Sequence, residues 1–349
     1  MQSIVTRDAE RVNLIRAIEK ERESRVITWI TGDRPQLETQ IAFEQVAILY
    51  DHLMEIGRQK KIDLFMYSRG GLTLAGFAAV NVLREFCDQL NLIVPYRAHS
   101  CATLIALGCD EILMGRLGQL SPVDPTVNSP YNPPAPPLPG TPQGITRLLP
   151  LSVEDVVAYV NLAQEDFKLK EEASMIRVLE SLASKVHPIA LGSVKRSRQQ
   201  IQMLATKLLS LRNKKTGEGQ TKKIVQVLTR ELGSHDYIIS RREAQSELGL
   251  PIKVPTPEFE SLMWRLFKNY EKTMALTEPY NQEAMLGSDS QKVVVFHRAY
   301  IESEGLTNSF ETEKRILRIQ LQAQGPSGAM IQTPAYQEQL LREGWVGYR

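Results

Sequence analysis

The sequence predicts an α/β fold built on a parallel sheet with flanking helices. Three observations carry this. Short apolar runs of strand character alternate with longer runs of helical spacing between residues 25 and 114. Two of the strands, Lys61–Tyr67 and Leu92–Tyr96, each break into small residues and then into a helix, one strand–turn–helix unit apart. The chain has 349 residues, long enough for one large α/β domain plus an addition.

In order, Asp8–Glu23 reads as a charged amphipathic helix and Arg25–Thr31 as a strand. Gly32-Asp33-Arg34-Pro35 is a loop, and Ile41–Ile56 is a helix with His52 on its surface. The strand ending at Tyr67 runs into Ser68-Arg69-Gly70-Gly71 and then the helix Leu72–Phe86. Leu92–Tyr96 leads to Ser100 and a helix of small and apolar residues, and Glu111–Met114 is the next strand. Such alternation calls for right-handed crossovers, with ligands at the carboxyl ends of the strands. Gly70, Gly71 and Ser100 fall at those ends.

Leu120–Thr126 is rich in turn residues, and 129–150 is a proline-rich insertion, extended and polyproline-like. It suits a lid, a partner-docking arm or a plain exposed loop. Ser152-Val153-Glu154-Asp155 has the spacing of a capping box and opens a helix to Leu169. Ala173–Ser184, Gln199–Leu211 and Lys222–Leu232 are further helices, interrupted at Lys185-Val186-His187-Pro188 and at the polar loop Asn213–Gln220. Glu258–Glu271 is a helix whose Phe259, Leu262, Trp264, Leu266 and Phe267 are mostly core. Lys292–Glu302 and Phe310–Gln320 are strands, and Ala335–Glu343 a short final helix. The expected division is a main domain, 1–285, and a small C-terminal α+β addition, 286–349.

Composition narrows the function classes. With 42 basic and 40 acidic residues the formal net charge is +2, which gives no basic field and no reason to expect nucleic acid. Three cysteines, Cys87, Cys101 and Cys109, form no metal-type pair, and their odd number suits a reducing cytoplasm. Met1–Asp8 has no apolar h-region, so no signal peptide is expected. The most apolar stretch, Leu72–Leu83, is too short to span a bilayer.

The chemistry concentrates at two turns. Ser100 stands where a strand becomes a helix, so its hydroxyl lies beside the first free N–H groups of that helix. A serine there suits a nucleophile, with the Cys101 N–H offered to an oxyanion. Its flanks Ala98 and Ala102 stand where a Gly-x-Ser-x-Gly elbow has glycines. Serine is also a common helix N-cap. The pair Gly70-Gly71 lets backbone approach a ligand and present N–H groups to an anion.

Tyr67-Ser68-Arg69-Gly70-Gly71 and Ala98-His99-Ser100-Cys101-Ala102 resemble the glycine-pair and nucleophile motifs of the Clp protease proteolytic subunit and signal peptide peptidase A. Within that ClpP/crotonase-like clan the chain looks most similar to the serine dehydrogenase proteinase family. Leu120–Pro125, His187–Gly192 and Ser234–Tyr237 look like further signatures, and the likeness runs over roughly residues 10 to 250. It implies a serine endopeptidase acting on polypeptide, a homo-oligomer, and no cofactor or metal. It also implies Ser100 as nucleophile and an oxyanion hole from Gly71 and Cys101, with Gly70 beside them.

A serine hydroxyl needs a base. Where the Clp branch has a histidine this chain has Asp124-Pro125, so that triad does not carry over whole. His235 with Asp236, which falls on the Clp acidic position, His187, and Lys195, read as lying just before a helix, are the candidates. Lys185 is a lesser one, while His99 and His297 read as structural. His235 and Asp236 are neighbours and on a strand face opposite sides, so a base from a second subunit also fits. Two other readings compete: a crotonase-type acyl-thioester enzyme, and a catalytically silent scaffold or sensor working through protein partners.

Overall fold

The computed structural model describes residues 7–123, 126–127, 129–136, 147–232, 234, 236–324 and 330–348. It forms two compact units: one contains the chain up to Gln119 and from Pro251 onward, the other spans Leu120–Leu250.

The first unit opens with α1 (Ala9–Arg22), capped by Asp8, whose carboxylate accepts from the Arg11 N–H. β1 (Arg25–Thr31), α2 (Phe43–Ile56), β2 (Gln59–Tyr67), α3 (Thr73–Glu85) and β3 (Cys87–Val94) follow in strict alternation. A two-residue strand, Arg97–Ala98, precedes α4 (Cys101–Leu107) and β4 (Glu111–Met114). The strand expected at Leu92–Tyr96 thus begins five residues earlier, at Cys87, and ends at Val94.

In the second unit, α5 (Val153–Asn161) starts at the N-cap Ser152 and runs into a single π-turn, Leu162–Asp166. α6 (Glu172–Lys185) follows, then α7 (Pro188–Ser210), α8 (Glu218–Gln226) and α9 (Arg241–Ser246). α7 begins at Pro188, well before the expected start at Gln199, because a proline in the first turn lacks only an N–H that needs no intrahelical partner. Of the proline-rich insertion, residues 137–146 lie outside the described residues.

The chain returns to the first unit with β5 (Ile252–Lys253), α10 (Pro257–Met274), α11 (Gln282–Leu286), β6 (Gln291–Glu302), β7 (Thr307–Gln324) and β8 (Met330–Tyr348). The main sheet has the order β5-β4-β3-β2-β1-β6-β7-β8. Pairing is parallel from β5 to β1 and antiparallel from β1 to β8. Ala335–Glu343 is strand, not helix: it pairs with β7 from Ala335 opposite Ile319 to Glu343 opposite Thr312. The chain also does not part near residue 286, because β6 pairs with β1 (Thr28 with Glu302, Thr31 with Ala299) and so belongs to the main sheet.

Both faces of the parallel part are covered, as such sheets require. Leu14, Ile15 and Ile18 of α1 and Phe259, Met263, Leu266 and Phe267 of α10 pack on Val26, Ile30, Phe65 and Ile93. One buried ion pair ties this layer to β6: Arg11 Nε meets Glu302 Oε2 at 2.9 Å, and the Tyr270 and Thr307 hydroxyls donate to the same carboxylate. On α2, His52 is fully buried rather than on the surface. Its ring nitrogens meet Ser303 Oγ at 2.8 Å and Asn308 Oδ1 at 3.0 Å.

Candidate active site

The glycine turn after β2 is held from two sides. On one side Ile41 N–H donates to Gly70 O and Leu72 N–H to Ile41 O, both at 2.8 Å. On the other, Ser68 N–H donates to Arg97 O (2.9 Å) and His99 N–H to Ser68 O (3.0 Å). The segment Ser68–Gly71 therefore lies between Ile41 and the chain that leads into Ser100. No side chain fits at either glycine. A Cβ on Gly71 would lie 2.3 Å from Ile41 O, and one on Gly70 would lie 2.7 Å from Ser100 Cβ and 3.1 Å from Ser100 Oγ. Both have positive φ, +115° and +149°, which glycine adopts without strain.

Ser100 immediately precedes α4, two residues past the strand Arg97–Ala98, with φ 51° and ψ −113°. Positive φ in a non-glycine residue stores about 1–3 kcal/mol. Ser100 makes no side-chain cap to its helix, so the ordinary N-cap role of serine does not account for it. Its residue is 9% exposed, so the hydroxyl sits low in the turn. The Gly71 N–H and the Cys101 N–H donate to no acceptor among the described residues, whereas the Gly70 N–H is taken by Ser68 Oγ at 3.0 Å.

Cys101 locks the two turns together. Its fully buried thiol donates to Leu72 O at 3.3 Å, against Gly76, where a Cβ would lie 2.5 Å from the sulfur. Burial pushes this thiol up to about 12, which keeps it protonated and unsuited to be a nucleophile. His99 lies between the strand Arg97–Ala98 and Ser100. Burial, then the nearby Arg97 and Arg69 cations, bring its pKa down to about 4, so its ring is neutral at pH 7.

The structure brings Gly70, Gly71, Ser100 and Cys101 together within the first unit. The candidate bases belong to the second. His187 is the N-cap of α7: its Nδ1 accepts from Ile189 N–H at 3.2 Å and its ring stacks on Tyr131. Lys195 is an exposed residue inside α7, neither before a helix nor buried. Asp236 is exposed in a turn, not on a strand, with its N–H on Ser234 Oγ; the neighbouring strand begins only at Ile239. His235, Asp124 and Pro125 lie outside the described residues. Lys185 closes α6, exposed. His297 on β6 meets Ser309 Oγ at 3.0 Å, in keeping with a structural role.

The sequence reading missed two supports of the site. Thr31 Oγ1, buried, donates to Ser68 Oγ at 2.7 Å. Asp33, beyond β1, accepts from the Tyr67 hydroxyl (2.8 Å) and pairs with Arg97 (2.6 Å). Burial, then the Asp33 carboxylate, raise the Tyr67 phenol and keep it protonated. A serine two residues before a glycine is the one local signal for the first of these, since its hydroxyl reaches the N–H two residues on. Among the described residues no cluster of His, Cys, Asp or Glu suits a metal ion, and no helix is long and apolar enough to cross a membrane.

Residues 2–138 match a family described as ClpP-like SDH-type serine proteinase. The chain is 26% identical over 264 residues to the uncharacterized protein MJ0137 of Methanocaldococcus jannaschii, covering 74% of this chain and 78% of that protein. It is 26% identical over 255 residues to MJ1495, an uncharacterized protein of the same organism, covering 71% and 73%. A solved structure, a serine-to-alanine mutant of the 1510-N membrane-bound stomatin-specific protease, aligns at 12% identity over 72% of this chain and 86% of that one. Its TM-score is 0.36, too low to carry weight.

Proposed function

We propose, on the premise that residues 2–138 are of the ClpP-like SDH-type serine proteinase family, that the protein is a serine endopeptidase with Ser100 as nucleophile. The observation that supports this most is the backbone of Ser100, strained at a strand-to-helix turn that packs against Gly70. In the first step a bond forms from Ser100 Oγ to the peptide carbonyl carbon, and the hydroxyl proton passes to the base. The Gly71 and Cys101 N–H groups hold the resulting oxyanion. The C–N bond then breaks, the amine leaves with the proton, and water hydrolyses the ester to a carboxylate. The base is proposed among His235 with Asp236, His187 and Lys195, the first being the pair to test first; Gly70 keeps the turn in place.

The test is labelling by a fluorophosphonate. There the Ser100 Oγ–P bond forms and fluoride leaves. Wild type is expected to take one label at Ser100, Ser100→Ala none, and His235→Ala far less than wild type. Labelling that persists at another residue in Ser100→Ala defeats the assignment. The protein is further expected to cleave a denatured polypeptide such as casein, and to be a homo-oligomer by sedimentation.

A further inference from the structure

The glycine pair offers two amides, and a device upstream decides which of them faces Ser100. We infer that Ser68, set by Thr31, is a positioning residue: it withdraws the Gly70 N–H from the oxyanion site and leaves the Gly71 N–H as the one donor from this turn. The inference rests on the serine peptidase reading and assigns a role within that same site.

Ser68 is 1% exposed and Thr31 is fully buried. Ser68 Oγ receives the Thr31 hydroxyl at 2.7 Å and the Gly70 N–H at 3.0 Å. Its own proton faces Gly70 O at 3.4 Å. Gly70 O also accepts Ile41 N–H at 2.8 Å. The Gly70–Gly71 peptide is thus pinned by its carbonyl toward Ile41. A trans peptide carries its N–H opposite its C=O, so the Gly71 N–H points away from Ile41. Because the turn lies between Ile41 and the segment Arg97–His99, that direction is the side of Ser100. Without the Ser68 acceptor the Gly70 N–H is a buried donor with no partner nearby. The peptide planes on both sides of Gly70 then lose the contact that fixes their rotation, which glycine torsions otherwise leave soft.

The experiment compares full-length wild type with Ser68→Ala, Thr31→Val and Thr31→Ser. Selective glycine ¹⁵N labelling reads amide exchange at Gly70 and Gly71, and stopped-time fluorophosphonate labelling separates the inactivation rate from the affinity. Expected are a Gly70 amide exchanging about tenfold faster in Ser68→Ala and a Gly71 amide little changed in exchange. The inactivation rate is expected to fall about 100-fold at unchanged affinity. Thr31→Val is expected to do the same in part and Thr31→Ser to restore wild-type values. Gly70 exchange that is unchanged in Ser68→Ala overturns the inference, as does loss of affinity with an unchanged inactivation rate. Should Ser68→Ala fail to fold, Thr31→Val against Thr31→Ser decides by the same two readings. A wild type that takes no label at Ser100 sinks the peptidase reading instead. The exchange data still decide whether Ser68 holds the Gly70 amide.

Discussion

Gly70→Ala is the substitution that tests most directly how the two turns fit. The new methyl carbon would lie 2.7 Å from Ser100 Cβ and 3.1 Å from both His99 O and Ser100 Oγ. None of these is the far end of a flexible side chain, so backbone must move. At φ +115° alanine also carries strain of about 1–3 kcal/mol. Overpacking of a filled site adds about 1–3 kcal/mol. The sum, roughly 2–6 kcal/mol, is a large share of a domain stability of about 5–15 kcal/mol. Whichever turn yields, Ser100 and the Gly71 N–H shift relative to one another, and a displacement of about 1 Å costs about 100-fold in rate. Urea denaturation and fluorophosphonate labelling measure the two effects. Gly192→Ala is the control: Gly192 lies inside α7 with nothing within 4 Å of its Cβ position, and alanine there is expected to stabilise by about 0.5–1 kcal/mol. If Gly70→Ala keeps the wild-type denaturation midpoint and labelling rate, Gly70 does not abut Ser100 and the geometry argued for the site is wrong.

Ser100→Gly should be more stable than Ser100→Ala by about 1 kcal/mol in urea denaturation. Glycine relieves the positive-φ strain while returning part of the gain as entropy; equal midpoints contradict the strain. His52, buried and held at about 4 chiefly by burial, is neutral when folded and charges near 6.5 when unfolded. Between those values the unfolded chain binds the extra proton, so stability falls as pH drops. The loss is about 2 kcal/mol between pH 7 and 5, and His52→Gln should flatten that slope whatever its absolute stability. Glu302→Ala leaves Arg11 buried without its carboxylate and is expected to cost about 3–5 kcal/mol by denaturation; a loss under 1 kcal/mol would show that solvent reaches the arginine.

How much of this was legible depends on how local the deciding contacts are. The strand–turn–helix units from β1 to β4 follow from periodicity and small residues, because each is settled within about thirty residues of chain. His52 is different. Its helix spacing fits a surface position, and what buries it is Ser303 and Asn308, more than 250 positions downstream. The same distance effect explains β8. Gln337, Glu338, Leu340 and Leu341 are good helix formers, and pairing with β7 across the whole of β8 overrides that preference. The expected break near residue 286 failed for a related reason: nothing in Gln291–Glu302 announces that its partner strand is β1.

At the site, the sequence located the two turns but not what fixes them. Gly70 and Gly71 are conspicuous because backbone geometry demands glycine, and Ser100 because it stands at a strand-to-helix turn. Thr31, Ser68 and Ile41 act through a hydroxyl or through backbone groups, and such roles have almost no compositional signature. The glycine turn therefore has an asymmetry that the motif alone hides. Gly70 is glycine because Ser100 is beside it, and Gly71 is glycine because Ile41 is. Among the described residues only one of the two amides, that of Gly70, has an acceptor. A doublet that looks like two equivalent donors is, in three dimensions, one amide held by Ser68 and one that the proposed reading assigns to the oxyanion. Substitutions at the two positions should accordingly differ in kind, with a Gly70 side chain displacing Ser100 and a Gly71 side chain displacing Ile41.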